Sequence, residues 1–203
     1  MVHKADENKD LDLVSAFFAE RGLSVERFSH IDTQTGKTPD FKVIQSGEIV
    51  AFCEVKSPND PWLDTLLDKA PPLTIVGGAR DDPTFNRIAR HINKATKQFC
   101  AVNPTKDKFN ILSFVNHDNG STYNDLIEAT TGFFYDERGN KHATVQHIAD
   151  GIIGQSKMVI DLYIWFERRR SRSECVLFNL SDPERLRRLC EILIMDPSKI
   201  DRR

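Results

Sequence analysis

Thr38-Pro-Asp-Phe-Lys-Val-Ile-Gln-Ser-Gly-Glu-Ile-Val-Ala-Phe-Cys-Glu-Val-Lys56 is the stretch on which the reading of the chain turns. It reads as two strands, 41–45 and 49–56, joined by Ser46 and Gly47 as turn residues. The unbroken apolar run Ile49-Val-Ala-Phe-Cys53 is expected of a strand buried on both faces. The run ends in Glu54-Val-Lys56, whose charged side chains lie two residues apart and project from one face. Isolated buried charges are unfavourable, so this pair calls for partners or a ligand.

Register decides whether Asp40 joins them. A three-residue loop pairing Gln45 with Ile49 sets Asp40 opposite Glu54 on the same face. A two-residue loop pairs Asp40 with Cys53 and turns it away. The first register, or an equivalent one-residue bulge, makes Asp40, Glu54 and Lys56 converge and is the one expected. Two facing carboxylates suit a hard cation such as Mg2+, which prefers oxygen ligands. A neighbouring lysine can position a water and offset phosphate charge.

Pro39-Asp40 followed by Glu54-Val55-Lys56 resembles the signature of the PD-(D/E)xK nuclease superfamily, which includes restriction endonucleases and archaeal Holliday-junction resolvases. The resemblance implies that Asp40, Glu54 and the Val55 carbonyl bind metal and that Lys56 assists the attacking water. It also implies a further acid on the first helix, with Glu7 as first candidate, Asp10 second and Glu20 third. It implies a lysine or glutamine near the metal on the helix after the motif, matched here by Lys94 and Gln98.

The 203 residues suffice for a single domain, 1–203, with a nuclease-like core over about 6–116 and a C-terminal extension over 117–203. A net charge of -2 excludes a wholly basic nucleic-acid binder, so any such contact must come from local asymmetry. No apolar run reaches bilayer length and no signal-peptide apolar region opens the chain, so no membrane partner is expected. The dispersed Cys53, Cys100, Cys175 and Cys190 form no Cys-x-x-Cys and read as reduced thiols of a cytoplasmic protein.

The spacing of Leu11, Val14 and Phe18 predicts a helix from about Asp6 to Arg21, stopped by Gly22. A strand over 24–31 and a turn-rich connection lead to Pro39. Residues 57–81, rich in Pro and Gly around a helical run at 62–67, form either a substrate clamp or a surface insertion. Asp82-Pro83 starts a helix burying Phe85, Ile88, Ile92, Ala95 and Phe99. Its other face carries Arg87, His91, Lys94 and Gln98, flanked by Arg90 and Lys97. Residues 80–108 hold seven basic and three acidic side chains. Arg87, Arg90, Lys94 and Gln98 are thus the candidates for nucleic-acid contacts.

A strand at 109–115 should run parallel to the motif strand, completing the αβββαβ order of the superfamily. Beyond it come a short helix at 122–130 and a turn-rich stretch at 132–144. Strands at 158–166 and 174–180 then flank a basic tip at 168–172, and a last helix begins at Ser181-Asp-Pro183. His142 and His147 lack the company a metal site needs and read as structural or solvated. The expectation is therefore an α/β, restriction-endonuclease-like domain acting as a Mg2+-dependent nuclease on DNA. Mn2+ would be able to substitute, and two-strand cleavage would favour a homodimer. The alternative is a non-catalytic nucleic-acid- or protein-binding module with the same fold. Lys56, at a strand end, is expected to contribute little to packing.

Overall fold

The computed structural model describes residues 7–29, 37–60, 62–77, 84–136, 138–143, 150–167 and 173–197. The Asp82-Pro83 helix start, the basic tip 168–172 and His147 lie outside them, as does the Phe85 side chain.

The first helix, α1 (Glu7–Ala19), buries Leu11, Val14, Phe17 and Phe18, the stripe its spacing predicts. Gly22, at φ 71°, ends it in the left-handed conformation that glycine adopts without steric penalty. Strands β1 (Ser24–Arg27), β2 (Phe41–Gln45) and β3 (Glu48–Lys56) form an antiparallel meander. A short helix α2 (Trp62–Lys69) and the long α3 (Thr84–Val102) lead to β4 (Phe109–Asn116), which lies parallel to β3. The order helix, three strands, helix, strand expected from the sequence is present, with α2 inserted.

The rest of the chain continues the same sheet. Helix α4 (Tyr123–Thr131), a small hairpin β5 (Phe133–Tyr135) and β6 (Lys141–Ala143), and α5 (Asp150–Val159) precede β7 (Leu162–Glu167). Strand β7 runs parallel to β4, and β8 (Ser173–Phe178) closes the six-stranded mixed sheet in the order β1-β2-β3-β4-β7-β8. Helix α6 (Pro183–Ile192) ends the described architecture, with Asp182 capping its Glu184 and Arg185 amides.

Alternation along the strands sorts the core into two layers. Ala51, Cys53, Ile111, Leu162 and Ile164 pack against α1 and α6 through Leu11, Phe18, Leu189 and Leu193. Phe52, Leu112, Phe114, Tyr163 and Trp165 pack against Ile88, Ile92, Ala95 and Phe99 of α3 and Leu126 of α4. Strand β4 is buried along its whole length, as a parallel strand covered on both faces must be. No helix among the described residues is long and apolar enough to cross a membrane.

Two expectations are corrected. Met158 and Val159 close a helix rather than open a strand, because only Ile160 and Asp161 separate α5 from β7. The apolar residues of both elements therefore merge into one run. The stretch 132–144 holds the β5–β6 hairpin, turned at Gly139 with φ 80°.

Candidate active site

The site begins with the turn. Ser46 and Gly47 both have positive φ, 53° and 84°, the conformation whose twist suits a two-residue hairpin. Gln45 accordingly faces Glu48 and Ile44 faces Ile49. The register then shifts. Val43 faces Ala51, leaving Val50 as an extra residue in β3, and beyond it Lys42 faces Phe52 and Phe41 faces Cys53. One residue further, the same register sets Asp40 opposite Glu54. The two-residue turn alone would have put Asp40 opposite Cys53; the bulge restores the alignment that joins the acids.

Side-chain contacts fix the cluster. Val55 N–H donates to Asp40 Oδ2 at 2.7 Å. A strand residue sends its N–H and C=O to the same neighbour, so the Val55 carbonyl also leaves toward the Asp40 side. Glu54 is 2% and Lys56 8% exposed. The Lys56 amine is ion-paired with Glu54 Oε1. Lys56 Nζ also approaches Gln98 Oε1 at 3.4 Å, and Gln98 Nε2 donates to the Thr38 carbonyl at 2.7 Å. Gln98 thereby ties α3 to the residue two before Asp40.

Glu54 Oε2 is buried and has no hydrogen-bond partner among the described residues. Burial, then the charge of Asp40, pushes the Glu54 carboxyl up to about 7, against the opposing pull of Lys56 and Gln98. An unsatisfied buried oxygen costs on the order of 1–3 kcal/mol. A hard cation would remove that penalty and neutralise the repulsion between the two acids. Asp40, Glu54 Oε2 and the Val55 carbonyl are oxygen donors of the type Mg2+ prefers, so the residues present fit such an ion.

Other candidates divide. Glu7, at the start of α1, and Glu20, just past its end, are exposed, and no hydrogen bond or ion pair joins either to Asp40 or Glu54 among the described residues. Helix α1 covers the Cys53 face of β3, opposite Glu54. Asp10 is fully buried, its two oxygens 3.0 and 2.8 Å from His117 Nε2. Lys94 and Arg90 are exposed on α3. Arg87 is turned inward, ion-paired with Asp60 and, at 2.9 Å, with Asp118. His142 is paired with Asp136 and stacked on Phe134.

His91, one of the polar stripe of α3, meets the Phe114 ring edge-on with 6.2 Å between centroids and feels the charge of Lys56. Burial, then the charges of Lys56, Lys94, Arg90 and Arg87, lowers its pKa to about 4, so it is neutral at pH 7. Its position one helical turn before Lys94 was the available signal.

No family model matches the chain, and no curated protein or solved structure matches it.

Proposed function

We propose that this protein is a Mg2+-dependent phosphodiesterase of the PD-(D/E)xK type, with a restriction-endonuclease-like core, hydrolysing the backbone of DNA. The observation that carries the reading is the convergence of Asp40, Glu54 and Lys56 at one strand end, with Glu54 Oε2 buried and without a hydrogen-bond partner among the described residues. When bound by Asp40, Glu54 and the Val55 carbonyl, the cation supplies Lewis-acid stabilisation of phosphate charge and eases deprotonation of water. Mn2+, also suited to oxygen ligands, would substitute.

The chain's own residues do the positioning. Lys56, held between Glu54 and Gln98, presents an amine that orients the attacking water and stabilises charge developing on phosphate oxygen. Lys94 and Arg90, exposed on α3, meet flanking phosphates. Cutting both strands calls for a symmetric pair of such sites, hence a homodimer. The free thiols fit a cytoplasmic setting.

A non-catalytic DNA-binding role draws support from the tie between Lys56 and Glu54, which occupies the amine. Incubation of plasmid with the protein in Mg2+ and in EDTA separates the two. Metal-dependent cutting supports the nuclease, whereas metal-independent binding without cutting supports the binding module.

A further inference from the structure

Asp40 and Glu54 share their face of the sheet with a lysine and an aromatic ring to which the metal site gives no role. Lys42 of β2 faces Phe52 of β3 and Glu26 of β1, and Phe52 lies two residues before Glu54. Side chains two apart on a strand share a face, so Lys42 stands on the side of the acids, about 7 Å along the chain from Asp40. One residue beyond the Arg27–Phe41 pair, the same register sets Phe28 opposite Asp40. The Phe28 and Phe52 ring centroids lie 5.9 Å apart, and Lys42 Nζ stands 4.8 Å from the Phe28 centroid.

These contacts aim the amine. A ring face attracts a cation without neutralising it, so the charge is kept on the face of the acids. Glu26, the acid opposite Lys42, is exposed, where water screens its charge. On the other flank, Gln98 of α3 approaches Lys56 at 3.4 Å and bonds the Thr38 carbonyl, and Lys94 is exposed one turn earlier. The acid pair thus lies between a basic helix and a cation on β2.

We propose that Lys42 is a further substrate-binding residue, which takes a DNA phosphate next to the one at Asp40 and Glu54, its amine steered by the Phe28 ring. The cut strand then crosses the acids between α3 and β2. The inference rests on the proposed action on DNA. A lysine is a compact charge on a flexible stem, so the contact adds affinity and no base preference.

The test is anisotropy of a labelled duplex across a salt series, in EDTA and at fixed Ca2+, with plasmid cutting in Mg2+ and thermal melts on the same samples. Lys42→Gln should lower the salt slope by about 0.9 and bind roughly eightfold more weakly at about 0.1 M salt, while Lys42→Arg should match wild type. Phe28→Leu, which keeps an apolar contact for Phe52, should weaken wild type about threefold and Lys42→Gln not at all. A wild type that cuts, beside a Lys42→Gln of unaltered slope and affinity, overturns the inference and leaves the nuclease reading standing. A lowered Tm in Lys42→Gln with unaltered slope also overturns it, because the cation then serves only the fold. So does an equal loss in Lys42→Arg, because charge is then not what binds. A wild type that binds and never cuts, with the slope reduced in Lys42→Gln, upholds the phosphate contact and removes the nuclease. A wild type that binds no DNA overturns both.

Discussion

Asp40 and Val55 are joined across the β2–β3 hairpin by a 2.7 Å hydrogen bond from the Val55 amide to Asp40 Oδ2. Asp40 therefore has two separable parts: an acceptor that satisfies β3 and an anion beside Glu54. Asp40→Asn keeps an acceptor oxygen and should unfold within about 1 kcal/mol of wild type, whereas Asp40→Ala strands the amide and should cost on the order of 1–3 kcal/mol. Both should weaken Mn2+ binding, because hard cations favour carboxylate over amide oxygen. Urea unfolding alongside calorimetric Mn2+ titration checks this; equal stability losses in the two variants would contradict it.

Glu54 should make the metal-free protein less stable as pH rises. Folding lifts its pKa from 4.5 to about 7, burial first and the Asp40 charge second. Between those values the folded state holds a proton that the unfolded chain has released. Stability then declines through the window by at most about 1.4 kcal/mol per pH unit, and the loss is complete above about pH 7. Glu54→Gln should flatten that slope in a series of urea midpoints; an unaltered slope would show that Glu54 ionises normally.

His91 acts in the opposite sense. Its pKa falls from 6.5 to about 4 on folding, burial leading and Lys56 next. The unfolded chain binds the extra proton in that window, so stability is lost as pH drops from 6.5 toward 4. The two slopes oppose one another in wild type, and His91→Gln should unmask the Glu54 slope as a steeper decline above pH 5. Identical profiles for wild type and His91→Gln would place His91 in water.

Arg87 and Lys94 share a helix face but should behave differently. Arg87 is held by Asp60 and by Asp118, whose side chain is only 2% exposed. Arg87→Ala should therefore cost about 3 kcal/mol and leave the salt dependence of DNA binding unchanged. Exposed Lys94→Glu should fold normally and reduce the salt slope by about one phosphate's worth, near 0.9 in log–log terms. DNA-binding isotherms at several ionic strengths, beside thermal melts, distinguish them, and equal slopes for wild type and Lys94→Glu would remove α3 from the interface.

The hairpin was legible from its turn residues and apolar run, but the turn did not choose between two registers. The one that joins Asp40 to Glu54 was expected because it makes the charges converge, and a bulge after a two-residue turn supplies it. The place of the extra residue, Val50, was not legible, since Ile49, Val50 and Ala51 are equally suited to a strand. Gln98 was a candidate through the resemblance, which implies a lysine or glutamine on the helix after the motif, and it approaches Lys56 at 3.4 Å. The partners of Arg87 and Asp10 were not legible: Asp118 and His117 reach them from the end of β4, a meeting that only the assembled sheet creates. Lys56 was expected to contribute little to packing, and the structure instead buries its amine against Glu54. Its removal thus leaves a buried carboxylate without its cation, so fold and catalysis must be measured together.

The most direct measurement is cleavage of supercoiled plasmid by wild type and by Lys56→Met, which keeps the apolar stem, across a Mg2+ titration with an EDTA control. Circular dichroism and Mn2+ binding are to be recorded on the same samples. Wild type should nick the plasmid only with metal. Folded, Mn2+-binding Lys56→Met should cut at least about 100-fold more slowly, the range expected for loss of a positioned proton-handling group. A folded Lys56→Met that cuts as fast as wild type, or a wild type that binds DNA without metal and never cuts, would contradict the proposed chemistry of Asp40, Glu54 and Lys56.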